Sequence, residues 1–154
     1  MTGQGRFITL EGIEGAGKST LALTLEIALR ERGRPVLVTR EPGGSPLAER
    51  LRGILLDRGT ERITPVAETL LMFAARSLHI ESRIRPALER GGWVICDRFS
   101  DATRAYQGAG RGVDAALIES LAHAVHPELS PQRTLLLDLP VELGLTRARA
   151  RRIQ

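Results

Sequence analysis

A glycine-rich segment near the start of the sequence carries the clearest chemical signal. It reads Gly12-Ile13-Glu14-Gly15-Ala16-Gly17-Lys18-Ser19 and matches the pattern G-x-x-x-x-G-K-[ST] at every defined position. In such a loop, backbone N–H groups and the start of the next helix surround phosphate oxygens, the lysine reaches the β- and γ-phosphates, and the hydroxyl group ligates Mg²⁺. A chance match is the alternative, but an apolar strand pattern precedes the segment and a helical pattern follows it. The segment therefore predicts that the chain binds a nucleoside triphosphate.

Charged residues also stand at the ends of the apolar segments that read as strands. They are Glu11, Arg40 with Glu41, Asp97 with Arg98, and Asp138. Ligands of open parallel sheets bind beyond the carboxyl ends of the strands, so these positions predict a binding site. For Asp97 and Arg98 the alternative is a local ion pair on the surface.

Four apolar segments and four longer helical patterns alternate along the chain and must position these residues. The predicted strands cover residues 7–11, 36–39, 93–96 and 134–139, without the period-two alternation of a half-exposed strand. The predicted helices cover residues 19–32, 46–58, 65–90 and 113–125, with the third bent or broken near Pro86. Strands that alternate with helices predict one α/β domain, residues 1–154, built on a parallel sheet.

The composition is that of an ordinary folded domain. Of 154 residues, 42% are apolar and 26% are charged, which excludes a disordered or fibrous chain. No segment free of acidic and basic residues exceeds eight positions, so we expect no membrane span, and we see no basic-then-apolar leader. Cys96 is the single cysteine and cannot form an internal disulfide, which fits a reducing compartment and a cytoplasmic location.

Lysine usage narrows the class of nucleotide-binding protein. Of the 22 basic residues, only Lys18 is a lysine. A GTPase would need a second lysine, in an N-K-x-D motif that binds the base, and the sequence contains no second lysine. A small kinase, which holds a second substrate opposite ATP, remains as the prediction.

Six motifs together resemble the thymidylate kinase family in its bacterial form. They are Phe-Ile-Thr-Leu-Glu-Gly-Ile-Glu-Gly-Ala-Gly-Lys-Ser-Thr (7–20), Thr-Arg-Glu-Pro-Gly-Gly (39–44), Leu-Met-Phe-Ala-Ala-Arg (71–76), Asp-Arg-Phe (97–99), Ala-Tyr-Gln-Gly (105–108) and Leu-Asp-Leu-Pro (137–140). The resemblance implies the P-loop nucleoside monophosphate kinase fold, with strand order 2-3-1-4-5 and helices on both faces of the sheet. It also implies that the chain stops in or just after the start of the lid, at about residues 143–154, without the last strand and with poor activity.

The reaction implied by the resemblance is transfer of the γ-phosphoryl group of Mg·ATP to dTMP, which gives dTDP and ADP. The nucleotide-binding residues implied are Gly12 to Thr20, and the Mg²⁺ ligands are Ser19 and Asp97. The implied partners are the small-molecule substrate and a second copy of the chain, with no nucleic acid and no membrane.

The resemblance also implies which side chains act on the phosphates. Lys18, Asp97 and Arg98 are the implied catalytic residues, with Arg98 clamping the acceptor phosphate through its planar fork. Because Gly15 stands where other family members carry an arginine, the resemblance implies a catalytic arginine from the lid. Arg149 and Arg151 are both candidates.

Four residues are implied to hold the sugar and phosphate of dTMP. Glu14 would accept a hydrogen bond from the 3′-hydroxyl, although a solvated loop carboxylate or a partner of the helix dipole is the alternative. Glu41 and Arg52 match positions near the acceptor, with Arg52 on its phosphate. Tyr106 would pack against the deoxyribose and exclude a 2′-hydroxyl.

The base contacts implied by the resemblance are less uniquely assigned. Phe73 would stack on thymine, and Arg76, three residues later on the same helical face, would bind the base. Some family members space this pair by four residues, which leaves Met72 as the alternative stacking residue and a core role for Phe73. Thr103 and Gln107 would bond the edge of the base.

Two other functions remain as alternatives from the sequence. The first is a deoxynucleoside kinase, whose neutral 5′-hydroxyl acceptor needs less cationic charge than Arg52 and Arg98 supply. The second is a nucleotide-binding or nucleic-acid-binding module without catalysis, which the basic cluster near the end of the chain keeps open. That cluster contains Arg147, Arg149, Arg151 and Arg152.

Overall fold

A computed structural model describes residues 5–57, 59 and 61–151 of the chain. Its four strands are β1 (Arg6–Glu11), β2 (Val36–Arg40), β3 (Trp93–Asp97) and β4 (Arg133–Leu136). They form one parallel sheet in the order β2-β3-β1-β4. This order confirms the predicted sequence of the first four strands. β4 ends earlier than predicted, and the next backbone amide, that of Leu137, still donates to the Glu11 carbonyl at 2.9 Å.

The helices that connect the strands are α1 (Lys18–Glu31), α2 (Pro46–Leu56), α3 (Pro65–His79), α4 (Arg85–Glu89), α5 (Ser100–Thr103), α6 (Ala115–Val125) and α7 (Val141–Arg151). All of them except α5 and α7, which the sequence did not predict, lie close to the predicted positions. The predicted end of the second helix at residue 58 lies outside the described residues. α6 begins two residues after the predicted start because the Asp114 side chain accepts a hydrogen bond from the Ala116 amide and caps it. Within residues 5–57 and 61–151, none of these helices has the length and apolar character needed to cross a membrane.

The predicted interruption of the long third helix is present as a widened turn. A π-helical turn, Ile80–Ile84, joins α3 to α4, and Pro86 is at the start of α4. Proline has no N–H to donate to the preceding turn, so the wider turn lets the chain pass this point without ending the helical path.

The segment after β3, which lies between the predicted strand 93–96 and the predicted helix 113–125, contains helical structure that the sequence did not predict. α5 continues into a second π-helical turn, Arg104–Ala109, which carries Tyr106 and Gln107. The segment is short and polar, with little helical periodicity, and it is held by tertiary contacts that sequence patterns do not reveal.

The core lies on both faces of the sheet. One cluster joins β1 and β3 to the π-helical turn and α4, a second joins α3 to α6, and a third packs α1 against β1 and β3. Their buried members include Phe7, Ile80, Ile84, Val94 and Phe99 in the first, Phe73, Ile118 and Ala122 in the second, and Leu10, Ala22 and Ile95 in the third.

The strand register brings the charged strand ends together at one edge. Asp97 pairs with Leu10 of β1 on one side and with Arg40 of β2 on the other. All four strands are parallel, so the glycine-rich loop after β1 and the acidic end of β3 open on the same side of the molecule.

Candidate active site

The glycine-rich loop is closed around the side chain of its lysine. Lys18 is 7% exposed, and its Nζ donates to the carbonyl oxygens of Gly12 and Ile13 at 2.9 Å each. Burial and then the nearby cation of Arg98 lower the pKa of Lys18. An ammonium group that lies near a second cation and has little water around it gains stabilisation from a bound anion.

The start of α1 adds amide donors to this loop. Gly17 precedes the helix in the left-handed region, with φ 97°, and no side chain caps the helix there. The first N–H groups of an uncapped helix have no intrahelical acceptor, so they point into the loop as partners for phosphate oxygens. Ser19 and Thr20 lie in the first turn and are exposed.

Asp97 ends β3 directly opposite the lysine. Its Oδ1 lies 3.9 Å from Lys18 Nζ, and the same oxygen is buried without a hydrogen-bond partner among the described residues. An ionised carboxylate left in this state is costly unless a cation or a donor completes it. The donor set of Asp97 and the Ser19 hydroxyl fits the all-oxygen, partly hydrated coordination of Mg²⁺.

Arg98 is held in a strained turn immediately after Asp97. It has a φ of 70°, which is unusual for a residue other than glycine. Its amide donates to the Leu10 carbonyl at 2.9 Å, and the next amide, that of Phe99, donates to Glu11 Oε1 at 2.8 Å. Its guanidinium lies 5.2 Å from the centre of the Tyr106 ring, and its Nη1 is buried without a partner in the described part of the chain.

Glu11 was seen in the sequence only as a charged strand end, and no role was assigned to it. The carboxylate is 7% exposed, and burial raises its pKa, with the Phe99 amide acting in the opposite direction. Its contact fixes the turn that presents Arg98. An acidic residue that ends an apolar strand immediately before the glycine-rich loop was the signal that could have identified it.

A cleft of about 470 Å³ opens over these groups. It is lined by Glu14, Gly15, Gly17, Lys18, Ser19, Arg40, Glu41, Arg52, Leu56, Asp97 and Arg98. Arg52 donates to the Pro42 carbonyl at 2.9 Å, and burial, followed by the cations of Arg40 and Arg98, lowers its pKa. The cations gathered here predict an anionic ligand with more than one negative charge.

Deeper in the molecule, Arg76 is fully buried and bonded on two of its three nitrogens. Its Nε donates to Glu41 Oε2 at 2.6 Å, and its Nη2 donates to Thr103 Oγ1 at 2.9 Å and to the Phe99 carbonyl at 3.2 Å. The guanidinium also lies between two rings, 4.8 Å from the centre of Phe73 and 4.9 Å from the centre of Phe99. Its Nη1 is buried without a partner among the described residues, so the two N–H groups of this nitrogen are left for a ligand.

Glu41 is ionised in this setting although it is buried. Burial acts to raise its pKa, but Arg76 and His79 outweigh that effect and the net pKa is lowered. The pair of Glu41 and Arg76 therefore stabilises the fold above the ordinary carboxyl range. That contribution is lost as the pH falls through the lowered pKa of the folded state.

We expect Arg76→Met to lower the free energy of unfolding by about 3–5 kcal/mol at pH 7, because it leaves the Glu41 carboxylate buried without its cation. Urea unfolding measures the change. Arg30→Met, which breaks an exposed pair with Glu26, is the matched control and should cost less than about 1 kcal/mol. Equal losses in the two variants would contradict the account. Adding Glu41→Gln to Arg76→Met should recover part of the stability.

A buried cluster beside this pair has the residue types of a metal site but a different chemistry. Ligand atoms of Glu41, His79 and Cys96 lie within 4.8 Å of one another. Burial raises the pKa of Cys96 well above its usual range, and its thiol donates to the Arg98 carbonyl at 3.1 Å. Because Glu41 is already neutralised by Arg76, the cluster is a hydrogen-bonded core and does not need a metal ion.

The sequence-predicted base contacts divide into buried and exposed residues. Phe73 is 2% exposed and packs with Val113, Ile118 and Ala122, so its ring offers almost no surface to a ligand. Met72, the alternative stacking residue, is only half-buried. This placement favours Met72, while stacking on a base by either residue stays a prediction.

The residues predicted to bond the base edge lie around Arg76. Thr103 is fully buried and already accepts a hydrogen bond from Arg76. Gln107 donates through Nε2 to Glu68 Oε1 at 2.7 Å, and its Oε1 is buried without a partner in the described part of the chain. Tyr106 is 46% exposed at the mouth of the cleft. Their contacts with a nucleotide stay predictions.

α7 packs directly on the glycine-rich loop. Gly15 has a φ of 84°, and a Cβ atom there would overlap the carbonyl of Gly144 in α7. This close approach explains why a side chain such as arginine does not fit at Gly15. Arg149 is exposed on the same helix, and the side chain of Arg151 lies outside the described residues. The choice between these two arginines therefore stays open.

Comparison with known proteins is consistent with this geometry. A model of the thymidylate kinase family matches residues 10–154. The chain is 55% identical over 148 residues to the thymidylate kinase of Alkalilimnicola ehrlichii, covering 96% of this chain and 68% of that protein. The chain belongs to the thymidylate kinase family. It is also 58% identical over 147 residues to the thymidylate kinase of Pseudomonas fluorescens, covering 96% of this chain and 70% of that protein.

The fold of this chain is also similar to that of a thymidylate kinase of known structure. The crystal structure of the thymidylate kinase of Ehrlichia chaffeensis matches this chain with a TM-score of 0.81 at 38% identity, covering 95% of this chain and 83% of that one. The predicted P-loop nucleoside monophosphate kinase fold and the resemblance to bacterial thymidylate kinases are both confirmed.

Proposed function

We propose that this chain transfers the γ-phosphoryl group of ATP to dTMP and releases dTDP and ADP. The observation that carries the proposal is the convergence of two phosphate-binding elements on one cleft. The glycine-rich loop with Lys18 forms one side, and Arg98, with one nitrogen left unbonded, forms the other. A phosphoryl donor and an anionic acceptor each require such an element.

The acceptor phosphate and the base would be held by different parts of the site. Arg98 and Arg52 supply cations for the phosphate, and the amides of the strained turn fix the position of Arg98. Arg76 and Gln107 each leave one buried polar atom unbonded, which suits the edge of a nucleobase. Binding both ends of the acceptor in this way orients its phosphate towards the donor.

Mg²⁺ would be held by Asp97 and the Ser19 hydroxyl, as their donor chemistry allows. When bound, the ion neutralises charge on the phosphate oxygens during transfer. Lys18 contributes a positive charge beside the same oxygens, and α7 packs against the loop at Gly15. These groups position and stabilise the transferring phosphoryl group without forming a bond to it.

A coupled assay for ADP tests the function against its nearest alternative, a deoxynucleoside kinase. We expect ADP production that depends on dTMP and is much slower with thymidine, because thymidine lacks the anion that Arg98 and Arg52 would bind. Faster ADP production with thymidine than with dTMP would reverse the assignment.

We also propose that the chain forms a homodimer through α2 and α3. These two helices pack on each other and expose apolar side chains at helical spacing, namely Leu47, Ile54, Val66 and Leu70, each 47–52% exposed. Sedimentation equilibrium should give twice the mass of the 16.8 kDa chain. A single-chain mass at micromolar concentration would contradict this proposal.

A cytoplasmic location accords with the one buried, free cysteine.

A further inference from the structure

A histidine that the sequence analysis did not single out lies next to the buried ion pair. His79 is the last residue of α3, three positions after Arg76, and it is fully buried. Its Nδ1 lies 3.2 Å from Glu41 Oε1, and its Nε2 lies 2.6 Å from Thr39 Oγ1. Both ring nitrogens therefore have a polar partner. Thr39 belongs to β2, and Glu41 follows the last residue of that strand.

The direction of these hydrogen bonds follows from the ionised state of Glu41. A carboxylate has no proton to give, so His79 Nδ1 must carry one and donate it. In the neutral ring, Nε2 then accepts from the Thr39 hydroxyl. This fixes both the tautomer and the orientation of the ring.

The carboxylate of Glu41 is shared between two donors. Oε1 accepts from His79, and Oε2 accepts from Arg76 Nε. Since both oxygens are held, the carboxylate cannot rotate, and the plane of the Arg76 guanidinium is set with it. The backbone also closes on the ring, because a Cβ atom at Gly44, which has a φ of 84°, would overlap His79.

We propose that His79 is a positioning residue for acceptor binding. It acts through Glu41 to hold the guanidinium of Arg76 so that its unbonded Nη1 meets the base of the acceptor nucleotide. Without this hydrogen bond, the Glu41 carboxylate can turn and Arg76 loses its fixed plane. The inference rests on the proposed function, since the acceptor nucleotide is the ligand that Arg76 is aligned to bind.

Two variants of equal shape separate this role from simple core packing. His79→Asn keeps an N–H group near the position of Nδ1, whereas His79→Leu has the same branching and no donor. We expect His79→Leu to raise the dissociation constant for dTMP, measured by calorimetry, by about tenfold or more. We expect His79→Asn to stay within about threefold of the original protein. The KM for ATP should be unchanged in both variants.

Control variants distinguish a role of His79 in positioning Arg76 from a role in the stability of the fold. His123→Asn, on the exposed side of α6, makes the same change away from the site and should leave dTMP affinity unchanged. Equal dTMP affinity in His79→Leu and His79→Asn would overturn the proposal, whatever their thermal midpoints. Absence of dTMP binding by the original protein would overturn the proposed function as well, so the two failures are distinguishable.

A second pair of variants serves if the histidine variants do not fold. Thr39→Ser keeps the hydroxyl that bonds Nε2, and Thr39→Val removes it with little change in volume. Thr39→Val should weaken dTMP binding by about threefold or more relative to Thr39→Ser. Equal affinity in this pair would show that the ring is not held through Thr39 and would count against the proposal.

Discussion

Lys18→Met is expected to lower kcat at least about a hundredfold, because the loop then has no ammonium group beside the transferring phosphoryl group. The Nζ atom of Lys18 donates to two carbonyl oxygens of its own loop, which keeps the ammonium group inside the loop. The change should appear in kcat at saturating ATP, measured by ADP production with dTMP as the acceptor. The fold should be retained, since the methionine occupies the same channel without a buried charge.

Arg34→Met is the control for this variant. Arg34 is exposed just after α1, and its replacement also removes one positive charge from the chain. We expect it to leave kcat unchanged. A Lys18→Met protein with near-normal kcat would mean that the loop does not act on the phosphoryl group.

Arg98→Lys is expected to weaken dTMP binding by about tenfold or more and to lower kcat as well, because a lysine cannot reproduce the two parallel hydrogen bonds of the guanidinium fork. The affinity for thymidine, which has no phosphate, should change by less than about twofold. Calorimetric titration with the two ligands measures this difference directly.

The same substitution at an exposed site is the control for Arg98. Arg85→Lys alters a surface arginine that pairs with Glu81, and it should affect neither ligand. If Arg98→Lys weakened dTMP and thymidine equally, Arg98 would support the shape of the site and not bind the acceptor phosphate.

The central fold could be predicted because its signals are local. Each strand contains a short apolar run, which in β1, β2 and β3 ends in a charged residue, and each predicted helix has its own periodicity. The α/β alternation therefore follows from the sequence alone. The order of the four strands came from the family resemblance, since no local pattern reveals which strands pair. The helical segment from Ser100 to Ala109 was missed because its conformation depends on packing of Ser100, Thr103 and Gln107 against other elements.

For the site, the sequence identified candidate residues but not the hydrogen bonds that connect them. Lys18, Asp97 and Arg98 could be placed together from the strand ends. The roles of Glu11 and His79 could not be predicted from the sequence. A buried acid in a strand and a histidine on an apolar helix each have many structural explanations. Phe73 shows the reverse case, in which a residue suited to stacking on a base packs in the core against Arg76.

A crystal structure of the protein with dTMP tests the central claim most directly. The account predicts that the phosphate of dTMP lies within hydrogen-bonding distance of the Arg98 guanidinium, opposite Lys18, with the base at Arg76 Nη1. A nucleotide bound elsewhere, with Arg98 and Arg76 contacting neither phosphate nor base, would contradict it.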